Sequence, residues 1–226
     1  MFKIADRPGR LLTNGTMLKR SMVIKSTMEQ PWFQALVWMD YRLAVLFAVI
    51  LPLILLIWSL TQNADSIQRL LMIYWRVSSL LAITVYLMIG AVPLSFISAF
   101  AARLLIPLSL WFWVDLNEDL DDRPQSPLKL VFTSWRWAIS IYMAVGTLIQ
   151  IPFLGCAFSG QSALLNNASC RVWLDPPWGF KQILHPNGDP GLLGFWGLVG
   201  LVIYVLCFAY FVLIRLGKQG RSATGQ

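Results

Sequence analysis

Residues 77–114 read VSSLLAITVYLMIGAVPLSFISAFAARLLIPLSLWFWV, 38 positions carrying a single charge, Arg103. A helix needs about 20 predominantly apolar residues to cross about 30 Å of hydrocarbon. The first 26 residues, 77–102, are charge-free and long enough for one crossing; the 11 after Arg103 are too few for a second. Extending that second piece back to Leu94 creates a further crossing, but it sets Arg103 near the bilayer centre, at a cost of at least about 2.5 kcal/mol. The stretch therefore predicts one span over 77–99. An interfacial or re-entrant helix follows over about 103–114, with Trp111 and Trp113 at headgroup level.

Three more charge-free runs lie on either side: 43–60 with 18 residues, 137–155 with 19, and 192–214 with 23. Of the 226 residues 57% are hydrophobic and 13% charged, half the charged share of about 25% in soluble domains. So few charges cannot cover so much apolar surface in water. A soluble enzyme, a disordered chain and a secreted disulfide scaffold are all excluded. The fold class expected is all-α, a polytopic membrane helical bundle of four spans plus one interfacial or re-entrant helix, with five spans as the alternative. Residues 29–214 form a single membrane domain.

The net charge of +7 does not point to nucleic acid, because of where the charges lie. Seven of the 18 Lys and Arg precede the first run, three follow the last, and Arg103, Arg123, Lys129 and Arg136 fall between the second and third. With four spans and both termini cytoplasmic, 14 basic residues lie on the cytoplasmic side. Arg69, Arg76, Arg171 and Lys181 lie on the other. Five spans divide the charges almost evenly. Residues 1–28 read as a basic tail without a secretory-signal core, and Met28 is an alternative start to Met1. Residues 215–226 form a second basic tail.

Four spans place residues 156–191 outside the cytoplasm, where disulfides persist. Cys156 and Cys170 both fall there, and a bridge between them is expected; Cys207 sits in the last run as a small apolar filler. The turn-rich pieces around Asp175–Gly179 and Asn187–Gly191 suggest a compact outer loop.

Residues 115–128 are the acidic segment of a chain otherwise poor in acids, with Asp115, Asn117, Glu118, Asp119, Asp121 and Asp122 in eight positions. Carboxylates and amides are the ligands Mg2+ prefers. The spacing has a faint likeness to the diphosphate-binding motifs of membrane prenyltransferases, but there is no second acidic motif and the spans are too few. As an EF-hand loop it fails at Leu120, in place of Gly, and at Ser126, in place of Glu. The simpler reading is a solvated cytoplasmic loop that docks a partner or pairs with local Arg, with no metal assigned. At the span edges, Asp40 is expected to pair with Arg42 or Arg76 in a buried contact, among Trp and Tyr of the headgroup belt. His185 is the single histidine, and no G-x-S-x-G, Walker A or H-E-x-x-H motif occurs, so no catalytic residue is assigned.

Residues 36–38 with 40–47 (LVW, DYRLAVLF), 111–118 (WFWVDLNE), and 126–130 with 132–137 (SPLKL, FTSWRW) resemble an uncharacterised cyanobacterial multi-pass membrane family. The resemblance covers about residue 29 to the last span. It implies a thylakoid or plasma membrane, and favours accessory roles around photosynthetic complexes. Three functions are weighed. The first is a non-enzymatic accessory or assembly protein with membrane lipids and a membrane protein as partners. The second is a Mg2+-dependent enzyme acting on a lipid or prenyl diphosphate at the acidic loop. The third is a small transporter, suggested by Trp-Arg pairs at 75–76 and 135–136 preceding Pro93 and Pro152 at similar distances. For a polar passage the runs offer little beyond Ser78, Ser79, Thr84, Thr147 and Gln150.

Overall fold

The computed structural model describes residues 32–216. The tail 1–28, with the choice between Met1 and Met28, lies outside the described residues, as does all but the start of the tail 215–226. Among the described residues the regular structure is helical throughout.

Helix α1 (Gln34–Thr61) shows how an apolar environment is tolerated. Pro52 has no N–H to donate, and a wider π turn over Leu46–Ile50 takes up the ring, with the Leu51 N–H bonding Leu46 O. The carbonyls of Phe47 and Ala48 then lose their helical donors. Trp135 Nε1 donates to Phe47 O at 2.9 Å and Tyr74 Oη to Ala48 O at 2.6 Å. Without water, such side chains from neighbouring helices are what satisfy freed backbone groups.

A tight turn, with Asn63 at φ 47°, leads into α2 (Asp65–Ile89). Here the structure departs from expectation. The charge-free run 77–102 is not one span but breaks after Ile89, and α3 begins at Ser95 and runs to Trp111. The break is a helix C-cap. Ala91 adopts φ 49°, its N–H bonds Met88 O at 3.0 Å, and the Val92 N–H bonds Leu87 O at 3.0 Å, with Pro93 next. Glycine is the usual residue in that left-handed position, but the glycine here is one place earlier. A Cβ on Gly90 would lie 2.6 Å from Gly194 Cα, so Gly90 serves a helix contact instead.

The segment 103–114 is not a separate helix: Arg103 lies inside α3, which ends at Trp111. Phe112 and Trp113 interrupt the chain, and α4 (Val114–Asp122) departs at 54°. Most of the expected acidic loop is therefore helix. Helix α5 (Pro127–Phe158) is N-capped by Ser126, whose Oγ accepts from the Lys129 N–H at 3.2 Å, and its last eight residues tighten to a 3-10 turn. The segment 156–191 is a helical cap of α6 (Gln161–Asn166), α7 (Ala168–Arg171) and α8 (Asp175–Leu184), tied by the expected Cys156–Cys170 disulfide. Helix α9 (Pro190–Ile214) returns along α2. Gly194, Gly197 and Gly200 let it approach: a Cβ on Gly197 would sit 2.9 Å from the Leu87 backbone nitrogen.

Among the described residues four helices, α1, α2, α5 and α9, are each long and apolar enough to cross a membrane, and there are five if α3 with α4, bent by 54°, counts as one broken span instead of a re-entrant loop. Among the described residues the chain passes between the two ends of the bundle five times. Gln34 Nε2 bonds Asp175 Oδ2 at 3.1 Å at the disulfide end, whereas Phe211 packs edge-on against Trp113 at the α4 end. Gln34 and Phe211 thus lie at opposite ends of the bundle, and the termini expected to be cytoplasmic lie outside the described residues. One apolar core, with Leu70, Tyr74, Ile106, Leu116, Phe132 and Ile139, fills the α4 end. A second, with Val37, Phe96, Leu164 and Trp173, lies under the cap.

Two outcomes follow. Replacing Ala91 with glycine relieves a left-handed Cβ worth about 1 kcal/mol, so A91G should melt later than wild type in detergent. Replacing Cys156 and Cys170 with serine reopens a loop of 14 residues' separation and should lower stability by about 3 kcal/mol, measured by chemical unfolding. Reductant should weaken wild type, not the double variant.

Candidate functional site

Between the two apolar cores lies a polar layer. Asp40 does not pair with Arg42 or Arg76. Its partner is Arg103, 63 residues away on α3, with Nη2 at 2.5 Å from Oδ2. Arg42 is exposed on α1, two positions on, where helical geometry turns it off the Asp40 face. Tyr142 of α5 completes the group, its hydroxyl 2.8 Å from Asp40 Oδ1 and 2.7 Å from Asp40 O. Room for the guanidinium comes from Gly146, where any Cβ would collide with Arg103 Nη1. The side chains of Arg103 and Asp40 keep only 12% and 24% of their exposure. Sequence reasoning missed Arg103 as the partner, although the signal was there: the lone charge in 38 residues requires a counter-ion, and Asp40 is the only acid in α1.

The second group fastens α4. Leu116 and Leu120 are fully buried on its inner face. Asn117 Nδ2 donates to Trp113 O at 2.7 Å, and Arg136 Nη1 donates to Asn117 Oδ1 at 2.5 Å. The Arg136 guanidinium also lies 3.8 Å from the centroid of the Trp111 ring, whose Nε1 bonds Ser140 Oγ at 2.9 Å. Lys129, buried, donates to Asp121 O at 2.9 Å and Arg123 O at 2.6 Å, closing the helix C-terminus. The sequence offered pairing of the acidic segment with local Arg but named neither Arg136 nor Lys129, and the contact Arg136 makes is to the amide Asn117.

With the inner face so occupied, Glu118, Asp119, Asp121 and Asp122 point outward and are exposed, while Asp115 is half-buried. Among the described residues no three His, Cys, Asp or Glu side chains come together to hold a metal ion. Asn117 is committed to Arg136 and a tryptophan carbonyl. The arrangement Mg2+ chemistry requires, carboxylates converging on one point, is not the arrangement these residues adopt. Several interior hydroxyls and the Gln150 amide nitrogen are taken up locally, whereas Gln150 Oε1 and Ser95 Oγ are buried without a hydrogen-bond partner among the described residues. Thr84 Oγ1 contacts Ser98 Oγ, Thr147 bonds Met143 O, and Gln150 bonds Phe96 O. The first and last of these join helices, and Thr147 bonds within its own helix.

The model of one family, described as proteins of unknown function (DUF3177), matches residues 34–224. The chain belongs to that family. Neither a curated protein nor a solved structure matches it. The matched region begins with α1 and takes in every group described above, from Asp40 to Arg136.

Asp40→Asn leaves Arg103 buried without a counter-charge, and losing one partner of a buried pair costs about 3–5 kcal/mol. In mild detergent D40N should lose most of its thermal stability. Adding Arg103→Gln should restore more than half the loss. A double variant as unstable as the sum of its parts would mean that the two residues act separately.

Proposed function

We propose that the protein is a non-enzymatic accessory or assembly protein of a membrane complex, docking a basic patch of a membrane-protein partner on the outer face of α4. The observation that carries this reading is the division of labour within α4. Leu116, Asn117 and Leu120 lock the helix to the bundle, whereas Glu118, Asp119, Asp121 and Asp122 are exposed. A rigid row of like charges suits recognition, because little side-chain and backbone freedom is lost on binding and the potential steers a basic partner.

The disulfide in the cap favours an oxidising compartment for that end, and Arg123, Lys129 and Arg136 near α4 support a cytoplasmic location for the other. Resemblance of the motifs at 36–47, 111–118 and 126–137 to cyanobacterial membrane proteins supports a thylakoid or plasma membrane, and a photosynthetic complex as the assembly served.

Purification of tagged protein from its own membranes in mild detergent, with mass spectrometry of co-eluting chains, tests the reading. Expected is stoichiometric recovery of a membrane-complex subunit that disappears when Asp119, Asp121 and Asp122 become Asn. Partner-free protein whose melting temperature rises with Mg2+ and a prenyl diphosphate overturns it in favour of the enzyme.

A further inference from the structure

Helix α9 approaches α2 most closely at its glycines, and further along the Tyr204 hydroxyl reaches Val77 O at 3.5 Å. Beyond Gly200 the facing residues are Ile203, Tyr204, Phe208 and Phe211, which hold the helices apart. The result is a lateral cleft of about 1200 Å³ between α2, α3 and α9, larger than the usual range of about 300–1,000 Å³ for small-molecule sites. Its walls are mostly apolar, with Ile73, Val77, Leu105, Leu108, Tyr204 and Phe208.

Two arginines line it. Arg76 was expected at the edge of a span, beside belt aromatics, but α2 begins at Asp65 and Arg76 lies 11 residues further on, close to the middle of the 25-residue helix. Arg69 lies seven residues earlier on the same face, about 10 Å away along the axis. Both are exposed to the cleft. Among the described residues neither forms an ion pair or a side-chain hydrogen bond; the ion pair observed is Asp40–Arg103. Asp65, at the mouth, is the one acid in the lining. The contrast with Arg103 is informative. Arg103, midway along α3, has its carboxylate built in, and Arg76, midway along α2 on a mostly apolar wall, has none among the described residues. An intramembrane cation without a protein partner marks a ligand site, and basic pockets between membrane helices suit anionic headgroups.

We propose that the cleft holds one anionic diacyl phospholipid. Its acyl chains lie along Val77, Leu105 and Phe208, and its phosphate is drawn between Arg69 and Arg76. Two long side chains seven residues apart can converge on one anion from above and below. A zwitterionic lipid brings a cation of its own and gains less from the pair.

The test uses the full chain in mild detergent, with phosphatidylglycerol and phosphatidylcholine as probes, read by native mass spectrometry and by melting temperature. Wild type should retain one phosphatidylglycerol and be stabilised by it over phosphatidylcholine. Arg69→Gln and Arg76→Gln should each reduce that preference about fivefold, as expected for one basic residue at an anionic headgroup. Val77→Trp, which fills the cleft and keeps both charges, should abolish retention while melting as well as the lipid-free protein. Equal stabilisation by the two lipids overturns the proposal, as does retention that survives the double arginine variant. So does a lipid-insensitive dimer in which a second copy covers α9. None of these readouts depends on the partner of α4, so this inference and the docking reading fail separately.

Discussion

The contact between Arg103 and Asp40 decides the path of the chain. Without a counter-ion, a guanidinium in the middle of α3 opposes burial strongly enough to keep that helix at the interface. With Asp40, the Tyr142 hydroxyl and the gap at Gly146 in place, the charge is accommodated between two apolar cores and α3 traverses the bundle. The consequence is topological. With α3 running between the two cores, the first and last described helix ends lie at opposite ends of the bundle.

Other parts of the bundle obey the same constraint in weaker form. In lipid the hydrophobic effect does not hold helices together, so packing and hydrogen bonds must. The break made by Pro52 is used that way: the two carbonyls it frees become the points at which α2 and α5 dock on α1 through Tyr74 and Trp135. Gly90, Gly194, Gly197 and Gly200 do the same for α2 and α9 by removing side chains altogether. Polar residues hold the interior and glycines hold the periphery.

Much of this was legible in the sequence, and the reasons for the rest are physical. The apolar runs announced a helical membrane bundle, and the two loop cysteines announced their bond. Hydropathy is blind to a turn made of apolar residues, however. The corner at Gly90–Pro93 lies inside 26 uncharged positions, marked only by a glycine and a proline that spans also tolerate. Arg103 was correctly read as costly, but a cost is cancelled by a partner, and Asp40 is remote in sequence. The acidic segment was read from its charges as a loop. The pair Leu116 and Leu120, four apart and fully buried, is what makes it a helix. Exposure of its carboxylates followed from composition; the fastening by Asn117, Arg136 and Lys129 did not, because a lone amide and two cations carry no spacing signal.

The two ends of the bundle differ in how they are held, and this has consequences at Trp113. The cap end is closed covalently and by hydrogen bonds such as Trp178 Nε1 to Ile89 O at 3.2 Å. At the other end α9 diverges from α2 and reaches the bundle through Phe211 on Trp113, with very little of its apolar length buried. Trp113 lines the cleft, packs against α9, and supplies the carbonyl that holds Asn117 at the root of the acidic helix. An occupant of the cleft would therefore rest on the residue that sets the angle of α4. Because α4 is joined to α3 only through Phe112 and Trp113, its direction is fixed by contacts at that corner and not by a continuous helix. The acidic face and the apolar cleft are thus mechanically one end of the molecule.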